Sequence, residues 1–385
     1  PDAPVQWLAA EQSYSSLVID EAVVVKLIRR VSAGTHPEVE MTRHLTRAGY
    51  VHTAALIGEI VHEGAGSEPT TLAVLQRYVP NQGDAWTWAL DYLRRTIDEL
   101  AVLTETVPAG EGDEAPIVIS ETRTDIDEAL AGYLAQIGAI GTRLGELHAV
   151  LAQPAEDPHF GTRAADADDV RVWTARVREQ VTRALDHLEA WQETHADISH
   201  TDTDWLQAQR DALPAVIRAR AQGGLGATLS RVHGDLHLDQ VLVAQGDAFL
   251  IDFGGDPARP VEERRRKDSP LRDVASLLRS LDDVIEAMRQ GPEHVAGPAQ
   301  DRRDQLLERF RAAAAERFLQ AYAAAAGNAP DLALLDLFVL EDAARAAGDD
   351  VIARPAWPPI PLAGLARVAR RLLDAEPQSA PETAP

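Results

Sequence analysis

The chain contains no cysteine, which excludes a disulfide framework, a thiol nucleophile and any Cys-ligated metal. It is also short of positive charge: 37 Lys and Arg stand against 61 Asp and Glu, a formal net charge of −24. Nucleic-acid backbones and anionic membranes are bound through clustered Lys and Arg, so neither partner is expected. No apolar run approaches the ~20 residues that a membrane-crossing helix requires. No secretory signal is recognisable, and the chain begins at Pro1 rather than Met, so the true N-terminus is expected to be missing. The expectation from these absences is a soluble, cytoplasmic, monomeric protein. With 385 residues, 45% hydrophobic and 25% charged, the chain exceeds one small core, and two lobes are expected.

The first eighty residues read as β-rich with one helix. Residues 16–19 and 22–28 are β-branched runs separated by Asp20-Glu21, a hairpin pattern. A helix is predicted from Pro37 to Ala48, with Gly49 as its stop. Two further strands fit residues 55–61 and 71–78. After Pro80 the chain turns Ala/Leu/Arg-rich with helical spacing, and the acidic stretch 107–127 reads as a mobile loop. A β island at 231–253 interrupts the helices, which resume at Ser269. The organisation predicted is an α+β, two-lobed fold: residues 1–80 as a β-rich N-lobe, 81–375 as a helical C-lobe, and 376–385 as a disordered tail. A cleft between the lobes is the expected ligand site.

The β island concentrates the chemistry. In His233-Gly234-Asp235-Leu236-His237-Leu238-Asp239-Gln240, a carboxylate sits on a tight loop after a short strand, and an amide follows five positions later. A second carboxylate, Asp252, ends a strand just before Phe253-Gly254-Gly255. Phosphoryl transfer needs a carboxylate to orient an acceptor hydroxyl and oxygen ligands for Mg²⁺. The competing structural reading is a pair of turns in which Asp caps backbone amides.

These segments resemble the catalytic and metal loops of aminoglycoside-phosphotransferase-like kinases, relatives of protein kinases with the same two-lobed fold. Within that group the chain is similar to actinobacterial maltokinases and closest to their glucosamine-kinase relatives. Narrower matches are residues 256–260, 263–275 and the Arg354-Pro355-Ala356-Trp357-Pro358 segment continuing to Leu362. Maltokinases also carry an N-terminal cap, which this chain is expected to begin too late to contain. The resemblance implies Asp235 as the base that orients the sugar hydroxyl, and Gln240 and Asp252 as Mg²⁺ ligands against ATP. It implies Lys26 on the α/β-phosphates, with Glu38 as its partner on the helix and Glu40 as runner-up. Ser13 and Ser15 stand where related kinases place a glycine-rich loop, although residues 11–16 hold no glycine. Gln76 and Tyr78 stand at the expected adenine hinge. Arg264–Lys267 reads as a solvated basic run.

For the acceptor, departures from the maltokinase pattern point to a cation. The helix expected to line the sugar carries Asp342, Arg345 and Asp349 in place of a lysine and two tyrosines. His237 and the extra acid Asp239 lie in the catalytic loop itself. Carboxylates in a desolvated cleft favour an amine. The resemblance therefore implies a glucosamine kinase making glucosamine 6-phosphate. A maltokinase and an aminoglycoside phosphotransferase are the alternatives, and a pseudokinase is the reading from another class.

Overall fold

The structure is a computed structural model that describes residues 3–8, 14–64, 66, 68–102, 123–195, 201–289, 298–353 and 359–374. Ser13, most of the expected loop 107–127, the Arg354–Pro358 part of the proline–tryptophan motif and the tail 376–385 lie outside these residues.

The expected β-rich opening forms one antiparallel sheet. Its strands are β1 (Val5–Trp7), β2 (Tyr14–Ile19), β3 (Val23–Ile28), β4 (Leu56–His62) and β5 (Thr70–Arg77), in the order β1-β2-β3-β5-β4. β2 and β3 form the predicted hairpin, and its tip explains the break in the apolar pattern. Asp20 and Glu21 sit at φ of 55° and 46°, the left-handed pair that matches a two-residue turn to strand twist. Register then decides which side chains meet. Ser16 pairs with Lys26, and Lys26 pairs with Val74, so these share a face. Tyr14, Val18 and Gln76 lie in phase with them, and all are buried.

Helix α1 (Pro37–Arg47) packs beside the sheet, entering on Pro37 with its N-terminus capped by His36, whose Nδ1 accepts from the Glu38 N–H at 3.3 Å. Both Glu38 and Glu40 fall in its first turn, where the helix dipole favours acids. Helices α2 (Ala85–Val102) and α3 (Arg123–Leu151) follow, then β6 (Arg163–Ala164), α4 (Ala167–Thr194), α5 (Thr201–Ala208), α6 (Leu213–Gly223) and β7 (Thr228–Leu229). The β island yields the hairpin β8 (Val241–Ala244) and β9 (Asp247–Leu250), followed by a single turn, α7 (Val261–Arg264). The chain closes with α8 (Leu271–Arg289), α9 (Pro298–Ala326), α10 (Leu332–Ala353) and α11 (Pro359–Asp374).

Two compact units result. The first gathers residues 1–162, 230–268 and 284–329; the second gathers 163–229, 269–283 and 330–385. The first unit thus holds the sheet, α1 and the β island together. The hairpin β8–β9 is fastened there by Arg143 of α3, whose Nε and Nη2 each donate to the Asp247 carboxylate at 2.8 Å. In the same unit α3 packs on α9, and His148 meets the Tyr322 hydroxyl at 3.0 Å, the satisfied core histidine of an apolar helix. The second unit is helical apart from the β6–β7 pair, with Trp173 of α4 edge-on to Phe338 of α10. Among the described residues no helix is long and apolar enough to cross a membrane.

Candidate active site

Lys26 is the centre of the site. The chain uses lysine at only two positions, Lys26 and Lys267, among its 37 Lys and Arg residues. Arginine is its ordinary cation, so an ammonium on an interior strand is a specific choice. Lys26 is 4% exposed, and an ion buried that deeply is costly without countercharge. Two carboxylates supply it: Glu38 Oε1 lies 3.7 Å from Nζ and Asp252 Oδ1 lies 3.3 Å away. The Tyr14 ring adds a cation–π contact at 4.9 Å. Glu38 is therefore the acid that reaches Lys26. Glu40, two residues on and rotated by about 200° around the helix, turns to Arg231 and Arg265 instead.

The catalytic and metal loops run side by side. His233 Nε2 lies 2.8 Å from the Ile251 carbonyl, and its ring packs on Phe253 at 4.8 Å. Ile251 N–H donates to the Gln240 carbonyl at 3.0 Å, which sets Gln240 next to the strand end carrying Asp252. Gly234, immediately before Asp235, sits at φ 83°, and a Cβ built there would lie 3.8 Å from the Gly255 Cα. A left-handed residue is needed where the two loops pass, and glycine supplies it without strain. Asp235, Gln240 and Asp252 thus come from adjoining loops, all three half-buried.

Asp252 adopts φ 67°, a left-handed conformation uncommon outside glycine and strained enough to be kept only when the surroundings hold it. Its Oδ1 is buried and accepts no hydrogen bond, although Lys26 stands close by. An oxygen in that condition suits a cation, and the Gln240 amide is a second oxygen donor in the adjoining loop. Oxygen ligands with room for phosphate and water are what Mg²⁺ takes, so the residues present fit it.

Gly254 carries a close approach. A Cβ there would fall 2.6 Å from the Tyr14 hydroxyl. Gly254→Ala is expected to push the Tyr14 ring off Lys26 and to speed acylation of Lys26 by an amine-reactive ester several-fold, with little loss of melting temperature. Mass-spectrometric acylation rates alongside a thermal melt check this.

His36 stands behind the site. Burial, then the nearby Arg264 charge, hold its pKa down to about 4, with Asp252 opposing. A base depressed from its ordinary value near 6.5 is neutral in the folded protein at neutral pH, while the unfolded chain takes the proton first as pH falls. The stability this contributes is whole above about pH 6.5 and is lost as pH drops toward 4. Denaturant unfolding of wild type and His36→Asn at pH 7 and 5 should show a smaller acid loss in the variant.

Other expected contacts are differently placed. Ser15 pairs with Leu27, on the face opposite Lys26, and its hydroxyl accepts from Arg29 Nε at 3.0 Å. Ser16 is the serine that faces Lys26, and its Oγ is buried without a hydrogen bond. The Gln76 side chain is buried and donates to Glu38 Oε1 at 2.8 Å, so it braces the Lys26 partner, while the expected adenine hinge concerns the backbone of residues 76–78. The Tyr78 N–H already donates to the Ala22 carbonyl at 2.9 Å. His237 lies 3.5 Å from Asp239 and from the Gln240 amide, beside Asp235 in sequence.

In the second unit, Asp342 is not the unpaired carboxylate that its sequence context suggested. Arg279 Nε donates to it at 2.5 Å, Arg345 Nη2 at 2.7 Å and the Ser276 hydroxyl at 3.1 Å. It is largely buried, which would raise its pKa, yet these guanidiniums hold its carboxyl far below the usual range, so it stays ionised and neutralised. Arg345 is correspondingly tied to Asp342. Asp349 is the more available acid, exposed and only loosely paired with Arg183 at 4.0 Å and Arg345 at 3.9 Å.

With this geometry in place, the fold can be compared with known structures. It is the α+β, kinase-like fold, with a β-sheet lobe and a larger helical part. A solved glucosamine kinase in complex with glucosamine, ADP and inorganic phosphate superposes with a TM-score of 0.68 at 24% identity, covering 96% of this chain and 76% of that one. A second crystal form of glucosamine kinase gives 0.67 at 24% identity, covering 96% and 81%. By sequence the chain is similar to actinobacterial glucosamine kinases. It is 28% identical over 296 residues to that of Streptacidiphilus jiangxiensis, covering 73% of this chain and 56% of that protein. It is 26% identical over 278 residues to that of Mycolicibacterium smegmatis, covering 72% and 58%. The chain thus spans a little over half the length of these curated relatives. No family model matches it.

Proposed function

We propose that this chain is an ATP-dependent sugar kinase that phosphorylates the 6-hydroxyl of glucosamine. The observation that carries the reading is the buried Lys26 held between Glu38 and Asp252, with the Asp235 loop fastened alongside. Its likeness to glucosamine kinases in both sequence and fold supports the acceptor. Asp235 orients the sugar hydroxyl in line with the terminal phosphate and takes its proton. Lys26 binds the α/β-phosphates, and Glu38, itself braced by Gln76, keeps the ammonium aimed at them. Asp252 and Gln240 would hold Mg²⁺, which when bound neutralises charge on the phosphates. Ser16 and Tyr14, on the Lys26 face of the sheet, take the phosphate-facing place expected of Ser13 and Ser15. Acids suit the acceptor amine: Asp239, beside His237, lies in the catalytic loop of the first unit, and Asp349 is the more available acid on α10 of the second. Asp342 shapes that helix surface through Arg279 and Arg345. The division into a 1–80 N-lobe and an 81–375 C-lobe is part of the same reading.

ADP release measured with glucosamine, glucose, N-acetylglucosamine, maltose and kanamycin tests it. Glucosamine is expected to give the highest kcat/KM. Preference for maltose would make the chain a maltokinase, preference for kanamycin an aminoglycoside phosphotransferase, and no release with any of them a pseudokinase.

A further inference from the structure

One short segment is tied to three elements that flank the candidate site, and it is the basic run that reads as solvated in sequence. Arg264 Nη1 donates to the Gly254 carbonyl at 2.9 Å, holding the loop that follows Asp252. Arg265 Nη2 donates to Glu40 Oε1 at 2.5 Å and its Nε to both Glu40 oxygens at 3.1 Å, holding the helix that carries Glu38. Asp268 exchanges two backbone hydrogen bonds with Ser230, at 3.1 and 2.9 Å, holding the stem of the Asp235 loop. The next residue of that stem, Arg231, closes the circle by donating to Glu40 Oε2 at 2.7 Å.

We infer that residues 264–268, with Glu40 and Arg231, form a clamp that positions Lys26, Asp252 and Asp235 relative to one another, acting through α1 and the two loops without touching substrate. This rests on the kinase reading above.

The energetics favour positioning over simple stability. Arg231 is 1% exposed, and its Nε and Nη2 make no hydrogen bond. A buried guanidinium left half-satisfied is a poor way to stabilise a core, whereas buried ion pairs do specify geometry. One carboxylate serves two guanidiniums, and burial that would raise its pKa is outweighed by Arg265 and Arg231, so Glu40 remains charged. Glu38 and Glu40 leave α1 in different directions, one to the reacting lysine and one to the clamp. Rotation or withdrawal of the helix that loosened Glu40 would therefore also move Glu38.

Arg265→Gln is the test, because this residue is partly exposed and its loss leaves Arg231 paired with Glu40. Three readouts are taken on the full chain: kcat and KM for ATP and glucosamine, the melting temperature, and the rate at which Lys26 is acylated by an N-hydroxysuccinimide ester, read by mass spectrometry. With two lysines in the chain the last signal is unambiguous. The expected result is a fall in kcat of about 10- to 100-fold with both KM values within about twofold. Lys26 acylation should become faster in parallel. Arg265→Lys, which keeps the charge but not the two-atom grip on Glu40, should lie between.

Unchanged kcat would overturn the inference, as would an altered kcat with Lys26 still protected, or a loss of activity explained by melting alone. Should wild type fail to phosphorylate any sugar, the kinase reading falls. The clamp is then judged by Lys26 acylation in Arg265→Gln and Glu40→Gln, where unchanged protection refutes it.

Discussion

Asp235→Asn is expected to lower kcat for glucosamine phosphorylation by about 10²- to 10⁴-fold, the span that a positioned base contributes. The substitution keeps size and shape in a loop whose neighbours are fixed by Gly234 at φ 83° and by the His233–Ile251 contact. KM for ATP and the melting temperature should therefore stay near wild type, because neither depends on proton transfer. An amide still accepts a hydrogen bond from the sugar hydroxyl but does not take its proton, so glucosamine KM should move little. Steady-state kinetics with both substrates, beside a thermal melt, check this. A variant retaining more than about a tenth of wild-type kcat would assign the base elsewhere.

Asp252→Ala should abolish use of Mg²⁺-nucleotide. The carboxylate stands 3.3 Å from the Lys26 ammonium, and its buried Oδ1 accepts no hydrogen bond, the feature on which its proposed role toward a divalent cation rests. Removing it takes away the carboxylate proposed to hold the metal and one of the two acids that stand beside Lys26. Backbone strain adds a second effect, since alanine in the left-handed conformation at φ 67° costs on the order of 1 kcal/mol more than a residue whose side chain supports it. Asp252→Asn separates the two. Asparagine tolerates that backbone and keeps one amide oxygen, so it should melt like wild type while still losing Mg²⁺-dependent ADP affinity. Calorimetric titration of Mg²⁺-ADP into both variants, with melts, reads the difference. ADP binding that remained Mg²⁺-dependent in Asp252→Ala would contradict the assignment.

Much of the first sheet was legible because two-residue periodicity and a turn at Asp20-Glu21 leave few alternatives. The same is true of α1, whose proline start and glycine stop bracket it. That the Asp235 and Asp252 loops adjoin was legible because short β-branched runs bracket them as one β island among helices. What escaped depends on parity or on distance along the chain. Ser15 and Ser16 differ by one step, and only the strand register shows that Ser16 shares a face with Lys26. Gln76 sits in phase with Lys26 across the sheet, so it turns inward to Glu38, a point the alternation in β5 already implied. Asp342 has a helical-face neighbour in Arg345, but Arg279 comes from a separate helix and no local pattern announces it. The Arg265–Glu40 pair joins residues 225 positions apart, which is why the basic run read as solvated.

The most direct test of the account is a single-turnover experiment with the protein in excess over ATP, Mg²⁺ and glucosamine present, and products followed by ³¹P NMR. The account predicts a new phosphomonoester resonance from glucosamine 6-phosphate appearing in step with ADP, and its absence in Asp235→Asn. Intact ATP, or inorganic phosphate released with no sugar phosphate, would contradict it.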